Sequence, residues 1–290
     1  VQGKTAGMKK LFPGVLVCLT AVFGCSTFQS RTDLQPLHFT SSTRVNTNPQ
    51  YCREPSGIVY STRRGTLFIA DDEGDICELL LDGTLVNKTH IDRADLEGIT
   101  IDPATGLLYA IEEHSMIIME FHPDSLEPLR QFPLEATSGA YLPARNNGNR
   151  GFEAITFVPD PGHPAGGTFF VASQGWRTRH AEGVAAVYEI AAPLQDTANT
   201  NQTARMVRQF EPGISDLSGL YYDASMQQLL LISDQHDILM LSGTDGNTRT
   251  SYKLPGKNQE GITLDSRGQL YIAEDSGDII KYRLDATTRP

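Results

Sequence analysis

A chain of 290 residues, 39% hydrophobic and 20% charged, has the composition of a globular domain and the length for a large core. A net charge of −11 counts against nucleic acid and anionic membrane surfaces as partners, since both are held by basic patches. The aromatic residues are scattered and not interleaved with Lys or Arg, which tells against nucleic acid a second time.

The first predicted element is a targeting segment. Met8-Lys9-Lys10 forms a basic n-region, and residues 11–23 form an apolar run too short to span a bilayer comfortably. It ends in Val22-Phe23-Gly24-Cys25-Ser26, which resembles a bacterial lipobox and makes Cys25 the lipidated first residue of the mature chain. The competing reading is an ordinary cleaved signal with an incidental cysteine. On the lipobox reading, residues 1–25 are an extension and lipoprotein signal peptide, 26–33 a polar tether and 34–290 one folded domain. The expected address is the bacterial envelope, with a membrane-anchored monomer facing the periplasm. Ser26 after the cysteine favours the outer membrane. An oxidising compartment leaves Cys52 and Cys77 two possibilities, a disulfide or a pair of buried thiols.

A hairpin pattern then recurs five times, at residues 56–72, 96–113, 153–174, 218–235 and 260–275. Each copy opens on Glu or Ser and alternates apolar with polar residues. It turns at Gly or Asp and closes on acidic or small polar residues. Two further strand-like runs follow each hairpin: 76–81 and 85–91, 116–121 and 126–132, 184–190 and 204–210, 238–241 and 249–254, then 279–284 alone. With no helical periodicity, the pattern predicts an all-β chain, a five-bladed β-propeller of four-stranded antiparallel blades. Residues 285–290 are too short and polar for the last outer strand, so residues 34–40 supply it from the N-terminus and hide the open edge. Six blades is the alternative, because 135–149 and 195–203 are long.

Hairpin geometry aligns two columns: Ser56, Glu97, Glu153, Ser218, Glu260 and, facing them, Asp71, Glu112, Ser173, Asp234, Glu274. Seven of the ten are carboxylates. In a propeller the first strands line the central channel, which gathers these acids at one mouth. Pairs of carboxylates at ~8 Å repel by roughly 2 kcal/mol at an effective dielectric near 20. Raised pKa values, basic partners or a cation must compensate, and calcium suits irregular oxygen donors. The candidate metal ligands are thus Glu97, Glu153, Glu260, Glu112, Glu274, Asp71 and Asp234. Arg53, Arg93, Arg150 and Lys257 precede the opening positions and offer neutralisation without metal, or an anionic-ligand contact at Arg150. The plain alternative is that the acids anchor turns by accepting backbone hydrogen bonds.

Asp95-Leu96-Glu97-Gly98-Ile99, Arg150-Gly151-Phe152-Glu153-Ala154, Leu217-Ser218-Gly219-Leu220 and Gln259-Glu260-Gly261-Ile262, with residues 230–234 and 271–274, resemble the SdiA-regulated family over roughly residues 50–285. That resemblance implies a bacterial envelope protein with an N-terminal targeting segment and a five-bladed propeller. It also implies a calcium site, with Glu97, Glu153 and Glu260 as leading ligands, and no established reaction. Ala154 stands where the family has Gly.

The expectation is therefore a binding or scaffold module. The alternative is a calcium-dependent hydrolase (a lactonase, esterase or phosphoesterase) like the gluconolactonase and paraoxonase propellers, with His114 or His236 handling protons near the mouth. Neither G-x-S-x-G, H-E-x-x-H, a P-loop nor G-x-G-x-x-G occurs. Trp176, with Arg177, Arg179 and His180, reads as loop packing, or else as a ligand lid.

Overall fold

Short alternating runs bounded by Gly and Asp turns fold as strands throughout. The computed structural model describes residues 34–45, 50–113, 115–135, 151–175, 185–198 and 202–285, which hold twenty-one strands and no helix. β1 (Gln35–Pro36) and β2 (Phe39–Val45) come first. The first meander is β3 (Pro55–Ser61), β4 (Thr66–Asp71), β5 (Asp75–Leu79) and β6 (Leu85–His90). The second is β7 (Leu96–Ile101), β8 (Leu108–Glu112), β9 (Ile117–Phe121) and β10 (Pro128–Glu135). The third is β11 (Phe152–Pro159), β12 (Gly167–Ser173), β13 (Val187–Ala191) and β14 (Ala204–Phe210). The fourth is β15 (Leu217–Asp223), β16 (Gln228–Ser233), β17 (Ile238–Ser242) and β18 (Thr248–Lys253). The last is β19 (Gln259–Leu264), β20 (Leu270–Glu274) and β21 (Asp278–Leu284), with β2 as its outer strand.

The first strands touch in a closed cycle: β3 with β7, β7 with β11, β11 with β15, β15 with β19, and β19 with β3. Five apolar clusters occupy the five gaps so formed, each drawing side chains from two successive meanders. The cluster between the last and first meanders, for example, joins Tyr271, Ala273 and Ile279 to Ile58, Ile69 and Leu79. Each large side chain so buried contributes roughly 1.5–3 kcal/mol. Across the inner strands, hydroxyls reach the neighbouring backbone. Thr100 Oγ1 accepts from Phe157 N (2.9 Å), Thr156 Oγ1 from Tyr222 N (2.9 Å) and Thr263 Oγ1 from Tyr60 N (3.0 Å).

The close packing of these strands explains the Gly after four of the five opening residues. A Cβ added to Gly57, Gly98 or Gly261 would lie 2.7, 2.7 or 2.8 Å from the backbone nitrogen of Ile99, Ile155 or Ile58. At Ala154 the Cβ is accommodated, buried in the cluster shared by the third and fourth meanders.

Two details differ from the sequence expectation. The closing strand is Phe39–Val45, not residues 34–40; Val45 pairs with Ile279 and Phe39 with Leu284. Pro36 cannot donate to a ladder, and Gln35–Pro36 instead lies parallel to β18 as a fifth strand of the fourth sheet. Leu37, 5% exposed, then drops into the cluster between the fourth and last sheets, so the chain crosses from one to the other there. The second difference is a short parallel pairing of β10 with β14, Leu134 with Ala204 and Glu135 with Arg205, which joins the second and third meanders into one eight-stranded sheet. Of the two possibilities for the cysteines, the structure has the disulfide: Cys52 and Cys77 are bonded, with Cα atoms 6.5 Å apart.

Three meanders repeat one ionic device on their third strand. Glu78, Glu120 and Glu189 face Phe68, Tyr109 and Phe170 across the second strand. Each holds an arginine: Arg64 at 2.7 Å, Arg130 at 2.6 Å and Arg208 at 2.5 Å. Each also accepts a hydroxyl bond, from Thr66, Tyr109 and Thr168 respectively.

Candidate functional site

Every first strand carries a β-bulge at the same place. The ladder pairs Leu96 with Glu112 and resumes with Gly98 and Ile111, leaving Glu97 as the extra residue. Ser56, Glu153, Ser218 and Glu260 occupy the equivalent positions. A bulge leaves one residue outside the ladder and re-aims its side chain. Here it turns three glutamates to a common place.

Glu97, Glu153 and Glu260 line one cavity of ≈780 Å³. Among the described residues, ten of the fourteen that line it are acidic, with Arg93 the cation among them. Besides the bulge glutamates, Glu112 at the end of β8 and Glu73 in the turn after β4, the acids come from the position two residues before the bulge (Glu54, Asp95) and from the residue just beyond the closing strand (Asp72, Glu113, Asp275). Backbone bonds tie these two sets together: Asp72 N donates to Glu54 O (3.3 Å), Glu113 N to Asp95 O (3.0 Å) and Asp275 N to Asn258 O (3.0 Å).

Asp95, Glu97 and Glu113 each offer an oxygen within 4.8 Å of the others. At that spacing each pair repels by roughly 3 kcal/mol at an effective dielectric near 20. Gly151 N donates to Glu113 Oε1 at 2.8 Å and fixes its carboxylate; a Cβ at Gly151 would fall 2.2 Å from Glu113 Cγ, so the contact needs glycine. Glu153 is 9% exposed, and its Oε1 is buried without a hydrogen-bond partner. Asp72 Oδ1 is likewise buried and unpartnered.

Protonation responds to this crowding. Burial first, then the charges of Glu153, Asp95, Glu113 and Glu260, raises the Glu97 pKa well above the carboxylate range. Burial, followed by Glu113 and Glu260, does the same to Glu153. Glu260 is pushed up to about 8 by burial and then by Asp234 and Asp275. Asp72 rises to about 7 through burial and then Glu54 and Asp71.

The other sequence candidates are placed differently. Glu112 lines the cavity, and its Oε2 accepts from Ser115 N. Asp71, Asp234 and Glu274 do not line it. Asp71 is fully buried and accepts from Glu54 N and Glu73 N, both at 2.9 Å. Asp234 Oδ1 accepts from Gln259 N at 3.0 Å. Glu274 takes a backbone bond from Lys257 and lies against Gly256. These three act as turn anchors, the plain reading of the acids. His236 is outside the cavity lining, its Nε2 3.0 Å from Ser215 Oγ. Arg53 pairs at 3.4 Å with Glu73, which lines the cavity, an exposed salt bridge of the kind expected at the mouth. Cys25, His114, Arg150 and Trp176 lie outside the described residues.

A family model described as SdiA-regulated matches residues 39–276. The chain belongs to the SdiA-regulated family. No curated protein matches it. Among solved structures it is similar to a chain of "Crystal structure of Nidogen/Laminin Complex", at 16% identity over 79% of this chain and 76% of that one, with a TM-score of 0.47. So distant a likeness carries no functional information. In this SdiA-regulated chain the acids that simple hairpin pairing misses are Glu54, Asp72, Glu73, Asp95, Glu113 and Asp275. Asp72, Glu113 and Asp275 are signalled in the sequence by the doublets Asp71-Asp72, Glu112-Glu113 and Glu274-Asp275, in which an acid follows the closing position.

Proposed function

We propose that this protein is a lipid-anchored module of the bacterial envelope, a five-bladed β-propeller that binds calcium at its acidic mouth and acts by binding rather than turnover. The closed cycle of five first strands and the clasp by β2 support the blade count. The basic, apolar and Cys25-containing stretch at residues 8–26 supports the address.

The observation that carries the calcium reading is the partnerless, buried Glu153 Oε1 beside a triad of mutually repelling carboxylates. Calcium–oxygen distances are about 2.4 Å, so donors up to ~4.8 Å apart can share one ion. Asp95, Glu97 and Glu113 meet that condition, and Glu153 and Glu260 line the same cavity. The donor set is all oxygen and irregular, which suits calcium better than the octahedral demands of magnesium. Bound there, the cation offsets the carboxylate repulsion and presents a Lewis-acidic face to a ligand oxygen.

Calcium should raise the melting temperature by linkage, and chelator should reverse it. Glu153→Gln and Glu97→Gln should each weaken calcium binding at least tenfold while leaving the metal-free protein as stable or more so, because each removes a repelling charge. Absence of any calcium-dependent shift in titration calorimetry and thermal melting would sink the reading. A calcium-dependent hydrolase is the second reading, favoured by the Lewis-acidic face that a cation at this mouth would present to a carbonyl or phosphoryl oxygen, although the Ser215–His236 pair (3.0 Å) lies outside the cavity lining. Calcium-dependent cleavage of lactones, aryl esters or phosphoesters, lost in Glu97→Gln, would establish it over the binding module.

A further inference from the structure

The last meander breaks the ionic device of the first three. At the third-strand position that holds Glu78, Glu120 and Glu189, it carries Lys281, paired across the sheet with Tyr271 and 5.3 Å from that ring. The fourth meander has Leu241 there, which is neutral; only in the last is the sign inverted. The opposing residue on the outer strand is Thr43, and the next pair on the same face of the sheet is Ser41 with Arg283. These four residues, with Arg44, line a groove of ≈320 Å³ between the outer strands of the last meander and the residue 81–82 turn of the first.

The charges of this groove are not balanced from within. Arg44 pairs with Asp278 at 2.5 Å. Lys281 and Arg283 have no carboxylate within 4 Å among the described residues, whereas the cations of the other devices are held by Glu78, Glu120 and Glu189. Asp82, on the groove's far side, already accepts from Thr84 N (3.0 Å). Gln269 also lines the groove, with its Oε1 buried and unpartnered.

We propose that this groove binds a phosphate ester, whose oxyanion takes the place that an internal glutamate fills in the first three meanders. Lys281, Arg283 and the hydroxyls of Ser41 and Thr43 offer more donors than a single carboxylate can accept, which favours a phosphoryl group. The Gln269 acceptor calls for a hydroxyl on the same ligand, as a phosphorylated polyol has. The net charge of −11 opposes approach to an anionic bilayer, so a soluble ester is the expected source. This site is independent of the calcium reading.

The test is calorimetric titration of the full chain with inorganic phosphate and glycerol phosphate at low ionic strength, beside sedimentation with phosphatidylglycerol–phosphatidylcholine vesicles. Glycerol phosphate should bind the wild type and Arg249→Gln, an exposed cation elsewhere, with equal affinity. Binding should fall at least tenfold in Lys281→Glu, which restores the residue of the first three meanders, and in Arg283→Gln. If Lys281→Glu fails to fold, Arg283→Gln decides. Vesicle binding lost in the same variants, without binding of the free ester, would support the site with a lipid headgroup as the phosphate source. No binding by any of the three probes, or binding undiminished in the groove variants, would overturn the proposal.

Discussion

At Glu260 and Asp72 the site stores a measurable pH dependence. Their ordinary values are 4.5 and 3.8, and in the folded protein burial and neighbouring acids carry them to about 8 and about 7. The folded state therefore holds protons that the unfolded chain has already released, and stability falls as pH rises through that window. The metal-free protein should be most stable near pH 5 and lose melting temperature steadily toward pH 8.5. Calcium should cancel the loss at the alkaline end, where protons no longer offset the repulsion. Glu260→Gln should flatten the chelator-treated profile; a melting temperature indifferent to pH between 5 and 8.5 in chelator would contradict the crowding described here.

The strand pairs show what the sequence could and could not reveal. Alternation and turn residues mark the hairpins in the sequence, and Glu97, Glu153 and Glu260, each preceding a repeated small residue, line one cavity. Asp71 and Glu274 stand one residue short of the cavity-lining Asp72 and Asp275, because the bulge adds a residue that pairing read from sequence does not show; Asp234 already lies just beyond its strand and still does not line the cavity. Bulges are written in backbone geometry rather than in composition, and here only the adjacent glycine betrays them. That glycine gives the prediction for this scale. Gly98→Ala drives a Cβ to 2.7 Å from Ile155 N, a backbone atom that cannot swing aside, and should cost roughly 1–3 kcal/mol in urea unfolding. Ala154→Gly, where the methyl is already housed, should cost only about 0.5–1 kcal/mol.

For the molecule as a whole, the difficult step is closing the ring, since β19 meets β3 across some two hundred residues of chain. The structure reinforces that seam twice. β2 pairs along β21, and the Cys52–Cys77 bond lies in the same apolar cluster as Val45 and Ile279. The bond spans a sequence separation of 25, and on loop-entropy grounds its reduction should cost roughly 3 kcal/mol. Thermal melts with and without reductant measure this directly, and Cys77→Ser should reproduce the reduced value. The sequence left the bond open because only the folded seam brings the two cysteines within reach.

The seam also sets the two ends of the domain side by side: Asp285 N donates to His38 O at 3.3 Å. Nothing in the sheets depends on which turn is left uncut. A circular permutant that joins these ends by a short linker and opens the residue 255–257 connection between β18 and β19 instead would convert the clasp into an ordinary meander. Such a molecule should refold without its N-terminal strand having to find a distant partner, and should do so faster than the native order of the chain allows.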